Sequence, residues 1–136
     1  MPSKKDLDRF RGEMGEAIVA YELMKCGWDV MKHLGGQGYD LLASKPRVTR
    51  RIEVKTTDPE RRTGTTRKQL TVGLSPAERD SADFLVYYIH GFDTYFVIPK
   101  SIFQSGRTVT VFIGKDGKIG SGSKYEEYRN KWEGLD

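Results

Sequence analysis

A glutamate and a lysine, Glu53 and Lys55, stand two positions apart in the segment RRIEVKTT at residues 50–57. In an extended strand, residues two apart point to the same face, so these two side chains share one face while Ile52 and Val54 share the other. Such a pattern is usually the solvated face of a strand. A carboxylate and an ammonium held side by side can also do chemistry, and other residues must distinguish the two interpretations.

Two further carboxylates can join this pair. Asp40 precedes Glu53 by 13 positions, on the preceding predicted strand, and an antiparallel pairing of the two strands would bring these side chains together. Glu16, at the border of the apolar face of the leading helix, supplies a third carboxylate; Glu13, one turn away, is the alternative helical acid. Carboxylate oxygens suit Mg²⁺, which keeps several waters and bridges readily to a substrate phosphate. We expect Mn²⁺ to substitute for it.

These residue types match the hydrolysis of a phosphodiester, which requires an attacking hydroxide and stabilisation of the negative charge that grows on phosphate. Asp40 and Glu53 would hold a cation that polarises the phosphate and acidifies a bound water. The backbone carbonyl of Val54 could complete the coordination. Lys55 would either orient and help deprotonate the nucleophile or offset charge on the phosphorus. Glu16 would bind a second metal ion or hold a metal-bound water.

The composition limits the class of protein. The chain has 136 residues, a formal net charge of +4 and one cysteine, which suits a single domain over residues 1–136 and excludes an internal disulfide or a cysteine-rich zinc site. No apolar run approaches the ~20 residues of a membrane helix, and the first residues lack the apolar stretch of a signal peptide. We therefore expect an intracellular, cytoplasmic protein without a membrane association.

Basic side chains concentrate around the Glu53–Lys55 motif. The sequence pI is about 9.2, which is compatible with a polyanionic partner, and a basic loop beside the site could reach a DNA backbone. A charge run is equally typical of a solvated face, and both interpretations stay open. The candidate DNA contacts are Arg50, Arg51, Arg61, Arg62, Arg67 and Lys68. Gln37, in the glycine-rich turn before Asp40, is a weaker candidate for contact with the metal or the DNA.

Hydrophobic periodicity predicts an α/β domain in which helices flank a mixed β-sheet. A helix is predicted over residues 6–26, with Gly15 on its solvent side. Its predicted buried stripe consists of Phe10, Met14, Ala17, Ile18, Tyr21 and Met24. Strands are predicted at residues 28–33, 39–44, 49–57, 68–75, 84–90, 93–99 and 108–113. Ser75, Pro76 and Glu78 form the start signal of a second helix. Residues 114–123 are expected to be a flexible connection, and a terminal amphipathic helix is predicted at about residues 123–134.

The segments GEMGEAIVAYELMKCGW, GYDLL and IEVKTT, in this order and spacing, resemble the PD-(D/E)xK nuclease superfamily. Its members include restriction endonucleases, archaeal Holliday junction resolvases and some homing endonucleases. On this resemblance Asp40 matches the family aspartate, Glu53 and Lys55 match its E-x-K, and Glu16 matches its helical acid. Tyr39 stands where the family pattern has proline. The resemblance covers residues 10–57 well, and it implies a restriction endonuclease-like α-β-β-β-α-β core, Mg²⁺ dependence and DNA as the substrate.

We therefore expect a Mg²⁺-dependent DNA endonuclease of resolvase, homing or restriction type. Because one small active site cuts one strand, cleavage of both strands or of a junction would need a homodimer. The alternative is a catalytically inactive DNA-binding module or nuclease subunit with the same fold. The preferred DNA sequence or structure is not predicted, since specificity resides in loops and dimer contacts.

Overall fold

The computed structural model describes residues 2–35, 38–59, 68–120, 122 and 124–136. Its α-helices are α1 (Lys4–Lys25), α2 (Pro76–Ser81) and α3 (Lys100–Phe103). Its strands are β1 (Asp29–Lys32), β2 (Leu41–Lys45), β3 (Val48–Thr57), β4 (Lys68–Gly73), β5 (Phe84–Ile89), β6 (Thr94–Pro99), β7 (Thr108–Ile113) and β8 (Ile119–Gly120). Within these ranges no helix is long and apolar enough to cross a membrane.

The strands of the described residues form two sheets. The larger sheet has the order β1-β2-β3-β5-β6, in which β3 and β5 run parallel and the other neighbours run antiparallel. This confirms the predicted mixed sheet with flanking helices. The smaller sheet has the order β4-β7-β8 and is antiparallel throughout.

Strand β8 lies within the segment predicted to be a flexible connection, and that prediction is wrong. A tight turn forms there, in which the Gly114 N–H donates to the Lys118 carbonyl at 2.8 Å and the Lys118 N–H donates to the Asp116 carboxylate at 3.0 Å. Gly117 takes a positive φ of 77° in this turn, a conformation that glycine adopts without steric cost. The turn brings Ile119 back alongside β7 as a hairpin.

The larger sheet is covered on both faces, which buries its central strands. On one face, α1 and the end of the chain pack over a core that includes Val19, Leu23, Ile52, Val54 and Leu135. On the other face the smaller sheet contributes Leu70, Val109, Val111 and Ile113 to a second core with β5 and β6. Strand β3 lies inside this sheet, where its residues Ile52, Glu53 and Val54 are buried.

Helix α1 packs through a different face from the predicted one. It begins with a capping box at Ser3, and its buried residues are Gly15, Val19 and Leu23. Phe10 and Tyr21, members of the predicted buried stripe, are 47% and 58% exposed. Helical spacing identifies apolar stripes but does not indicate which one meets the sheet. Gly15 has no side chain, so α1 can approach β3 closely at this residue. This contact buries the face of α1 that carries Gly15, Val19 and Leu23.

The predicted terminal α-helix is also absent from the described residues. Two short 3-10 helices, Glu126–Tyr128 and Trp132–Leu135, take its place. Between them Asn130 has a positive φ of 52°, and its side-chain oxygen accepts the Tyr95 N–H at 2.9 Å. The backbone around Asn130 hydrogen-bonds to the edge of β6, and these bonds are incompatible with the i→i−4 ladder of an α-helix.

Candidate active site

Asp40 lies beside Glu53 because β2 and β3 pair antiparallel, which is the condition that the sequence left open. Leu41 is opposite Ile52, and one residue earlier the Asp40 N–H donates to the Ile52 carbonyl at 2.8 Å. The Asp40 carboxylate accepts the Val54 N–H through Oδ2, also at 2.8 Å. This side chain is therefore fixed against β3 at the E-x-K motif.

Glu53 is a buried carboxylate, so the solvated-face interpretation is wrong for it. The alternation of β3 directs Ile52 and Val54 into the core under α1, while Glu53 and Lys55 point away from α1, towards α2. Glu53 is only 4% exposed. The Lys55 Nζ lies 3.4 Å from the Glu53 Oε2, so the two side chains are in contact in a partly desolvated site.

A fourth carboxylate, Glu78, completes the surroundings of Lys55. The Lys55 Nζ donates to the Glu78 Oε2 at 3.0 Å. The Glu78 Oε1 accepts the Ser75 N–H at 2.7 Å, and the Ser75 Oγ accepts the Glu78 N–H at 3.1 Å. This capping box is visible in the sequence as the start of α2. The contact of Glu78 with Lys55 is not visible in the sequence, because no local pattern indicates that the start of α2 packs next to β3.

The electrostatics of the carboxylates explain how they coexist at close range. Burial raises the pKa of Glu53 to about 10, and its hydrogen bond to Glu78 and the charge of Asp40 add to this effect. Burial also acts to raise the pKa of Glu78, but hydrogen bonds with Glu53, the Ser75 N–H and Lys55 outweigh it and lower that pKa. These opposite shifts favour a proton on Glu53 over a proton on Glu78.

Lys55 is held in its charged form by the same neighbours. Burial acts to lower the pKa of Lys55, but the hydrogen bond to Glu78 and the charge of that carboxylate act against it, and the pKa is raised. The ammonium is three-quarters buried and lies between the carboxyl groups of Glu53 and Glu78. It is therefore a preorganised positive charge at the edge of the site.

The structure brings Glu16, not Glu13, towards this cluster. Burial and the charge of Asp40 raise the pKa of Glu16, while Lys32, at 3.9 Å, acts to lower it. Glu13 is exposed on the same helix and affects Glu16 only through its charge. Glu16 is therefore the helical acid that interacts electrostatically with Asp40, and its role in the site stays a prediction.

The two arginines before the motif have partners within the chain. The Arg50 Nε donates to the Leu135 carbonyl at 2.8 Å, and its guanidinium lies over the Phe84 ring. Arg51 forms an ion pair with Asp83 at 3.3 Å. Both therefore hold elements of the fold together, and their contacts with DNA stay a prediction.

Of the other predicted DNA contacts, the structure describes Lys68. Lys68 is the first residue of β4 and is half-buried. Arg61, Arg62, Arg67 and Gln37 lie outside the described residues.

The donor set fits a hard cation such as Mg²⁺. Within the described ranges, no group of three or more histidine, cysteine, aspartate or glutamate side chains converges to hold a metal ion. Mg²⁺ is commonly held by one or two carboxylates together with waters and substrate phosphates. Asp40 and Glu53, with the Val54 carbonyl between the motif residues, supply such an oxygen set. Three acidic side chains, Asp40, Glu53 and Glu78, surround the single ammonium group of Lys55. A bound metal ion would therefore reduce the repulsion between these acidic groups.

Comparisons with solved structures agree with this fold. The bacterial homing endonuclease I-Ssp6803I is similar in structure, with a TM-score of 0.72 and 24% identity, over 98% of this chain and 91% of that one. The Holliday junction resolvase Hjc of Archaeoglobus fulgidus has a TM-score of 0.54 and 17% identity, over 85% of this chain and 88% of that one. At these identities the likeness shows a shared fold. No curated protein sequence gives a significant match.

A family model described as PD-(D/E)XK endonuclease matches residues 8–134, nearly the whole chain. The match includes the elements that carry Glu16, Asp40, Glu53 and Lys55. The chain therefore belongs to the PD-(D/E)XK endonuclease family.

Proposed function

We propose that this chain is a metal-dependent DNA endonuclease that hydrolyses phosphodiester bonds with Mg²⁺, for which Mn²⁺ would substitute. The observation that carries the proposal is the buried Glu53 carboxylate, held beside Asp40 and Lys55 in a chain of the PD-(D/E)XK endonuclease family. A buried charged cluster is expensive to maintain, so such clusters are concentrated at functional sites.

Asp40 and Glu53, with the Val54 carbonyl, are the proposed metal ligands. The hydrogen bond from the Val54 N–H fixes the Asp40 carboxylate before any ligand binds. Glu53 must release its proton to become a ligand, so metal binding is coupled to the loss of that proton. When bound, Mg²⁺ would supply Lewis-acid stabilisation of the phosphate and acidify the attacking water.

Lys55 is proposed to offset the negative charge that develops on the phosphate. Of the two roles that the sequence left open, the raised pKa of Lys55 favours this one, because a lysine held in its charged form is a poor proton acceptor. Glu78 and Glu53 orient the ammonium, which keeps it in place without reorganisation during the reaction. Glu16 is proposed to hold a water or a second metal ion next to Asp40.

We further propose that the enzyme acts on DNA as a homodimer, since two strands need two sites. Arg50, Arg51, Lys68 and the basic residues between positions 61 and 67 remain the proposed contacts with the DNA backbone. Such contacts predict binding that weakens steeply as the salt concentration rises.

The test is nicking of supercoiled plasmid and of four-way junction DNA in Mg²⁺ or Mn²⁺. The wild type should nick, whereas Asp40→Ala and Lys55→Ala should lose most activity. Asp29→Ala removes an exposed carboxylate from β1 and serves as the matched control, with activity like that of the wild type. Equal activity in all four proteins would refute the assignment. DNA binding without cleavage by the wild type would support the inactive DNA-binding module instead.

A further inference from the structure

The smaller sheet has one face in the core and one face that points away from it. Alternation along β4 and β7 directs one set of side chains into the core shared with β5 and β6: Leu70, Val72, Val109, Val111 and Ile113. The alternate positions are exposed or half-buried. We call them the outer face; it consists of Gln69, Thr71, Gly73, Thr108, Thr110 and Phe112.

The outer face carries hydroxyl and amide groups and has no charged side chain. The register of β4 with β7 places Thr71 opposite Thr110, and their hydroxyl oxygens are 2.8 Å apart. The Gln69 Nε2 donates to the Thr71 Oγ1 at 3.4 Å. Each hydroxyl can make a further hydrogen bond, and the Gln69 amide keeps its oxygen and one N–H. The outer face therefore suits a ligand whose surface offers both donors and acceptors.

Basic residues lie at the ends of the strands that carry this face. Residues 68–73 and 107–120 contain four basic residues and one acidic residue, a net charge of +3, whereas the whole chain has +4. The basic residues are Lys68, Arg107, Lys115 and Lys118. Within the described part of the chain none of the four forms an ion pair. This positive charge favours a polyanion as the ligand.

One end of the outer face adjoins the candidate active site. Leu74, the residue after β4, donates its N–H to the Arg107 carbonyl at 2.8 Å. The next residue, Ser75, donates its N–H to the Glu78 carboxylate, which also accepts a hydrogen bond from Lys55. The six residues of β4 extend about 20 Å from this end, the length of about six base pairs. A polyanion bound at Lys55 can therefore continue along the outer face.

These features match the major groove of DNA. The groove is about 12 Å wide and admits a two-stranded β-ribbon, and the phosphates along it suit cations at the ends of the strands. A glutamine amide pairs with adenine, and a threonine hydroxyl can pair with a donor or an acceptor on a base edge. A membrane surface also attracts cations, but it needs a broad apolar face, and Phe112 is the one large apolar side chain of the outer face. A two-fold contact with a second copy would bring like charges together.

We propose that the outer face of the smaller sheet lies in the major groove of DNA and recognises base pairs beside the cleaved bond. The base contacts are assigned to Gln69, Thr71 and Thr110. The phosphate contacts are assigned to Arg107 and Lys118, at opposite ends of β7. The proposal takes its substrate from the proposed function, and it assigns the sequence preference of the nuclease to two strands of the fold.

Selection from a library of random duplex DNA tests the base contacts, with binding in EDTA so that no cleavage occurs. The wild type should enrich a preferred sequence. Gln69→Ala and Thr71→Val should each lose about tenfold discrimination at one or two neighbouring base pairs. Valine suits a strand, so this loss does not reflect unfolding. Thr49→Val, at an exposed position of β3, is the matched control and should keep the wild-type preference. A wild type that enriches no sequence, or an unchanged preference in both variants, would overturn the proposal.

Fluorescence anisotropy with the selected duplex, at several salt concentrations, tests the phosphate contacts. Arg107→Ser/Lys118→Ser should weaken binding about tenfold and should reduce the slope of log affinity against log salt by about two. Lys25→Ser/Arg47→Ser removes the same charge at the end of α1 and in the β2–β3 turn, and should bind like the wild type. Equal weakening by the two double variants would indicate an effect of net charge alone and would overturn the assignment.

Nicking activity and sedimentation velocity, measured on the same proteins, separate this proposal from its alternatives. A chain that binds a preferred sequence through the outer face without cleaving it would refute the nuclease and leave this surface assigned. Cleavage by the wild type, with an unchanged preference in Gln69→Ala and Thr71→Val, would refute this surface and leave the nuclease. Loss of self-association in these variants without a change in DNA preference would identify a second copy as the occupant and overturn the proposal.

Discussion

Replacement of Gly15 by alanine tests how the fold places Glu16 at the active site. Gly15 packs against Thr56 of β3 so closely that a Cβ would lie 1.8 Å from the Thr56 Oγ1 and 2.9 Å from its Cβ. Rotation of the threonine side chain can relieve the first contact but not the second, because the Cβ does not move with χ1. Ordinary contacts begin at 3.4 Å, so α1 must retreat from β3 by about 0.5 Å or more.

The expected change in the free energy of unfolding of Gly15→Ala follows from two opposing effects. Overpacking of a core typically costs about 1–3 kcal/mol, whereas alanine in place of glycine stabilises a helix interior by about 1 kcal/mol. Gly12 lies on the same helix, and a Cβ added there would have no neighbour within 4 Å, so Gly12→Ala should show only the gain. The free energy of unfolding of Gly15→Ala should therefore be lower than that of Gly12→Ala by about 1–3 kcal/mol.

Urea denaturation of the two variants measures this difference. Plasmid nicking should fall in Gly15→Ala, because the retreat of α1 carries Glu16 away from Asp40, and a misplacement of about 1 Å can reduce a rate by up to about 10²-fold. Gly12→Ala should nick like the wild type. Thr56→Ala in the Gly15→Ala background removes the two atoms beyond the Cβ and should recover part of the stability. Equal stability of the two glycine variants would refute the reasoning.

Three further predictions concern the site and its supports. Metal-free wild type should lose thermal stability as pH rises from about 5 to 9, because folded Glu53, with a pKa of about 10, keeps a proton that the unfolded chain releases near the ordinary glutamate pKa of 4.5. Glu53→Gln should flatten this dependence in EDTA, and an unchanged slope would contradict the pKa assignment. Glu78→Gln should lower kcat about tenfold with little change in KM, since one amide oxygen cannot serve both the active-site lysine and the helix cap. Ser75→Ala, which breaks only the cap, should keep most of kcat. Equal losses of kcat in the two variants would indicate that Glu78 has a purely structural role. Gly38→Ala should destabilise the fold by about 1–3 kcal/mol in urea, because φ is +89° and a Cβ would lie 2.5 Å from the Ser81 side chain; a variant as stable as the wild type would show that the turn adapts.

The parts of the site that the sequence predicts depend on local rules. The two-residue period of β3 places Glu53 and Lys55 on one face, and the structure has that arrangement. The order of the predicted strands puts Asp40 on the strand before Glu53, and the antiparallel pairing that the sequence left open brings the two together. The capping box at Ser75 is likewise predictable, since its residues lie within one helical turn.

The parts that the sequence does not predict depend on distant contacts. The period of α1 contains two apolar stripes, and only the approach of Gly15 to Thr56 shows which one is buried. The terminal residues have the pattern of an amphipathic helix, but Asn130 and its neighbours hydrogen-bond to β6 instead. A pattern in one segment carries no information on which distant edge is free to pair with it.

Residue types, strand alternation, helix caps and the order of the motifs are written in contiguous residues, because short-range hydrogen bonds and side-chain periodicity produce them. The burial of Glu53, its raised pKa, the contact of Glu78 with Lys55 and the outward face of α1 arise only when distant segments pack together. Desolvation depends on everything that surrounds a group in space. Chemistry that depends on a buried charge therefore emerges with the tertiary structure.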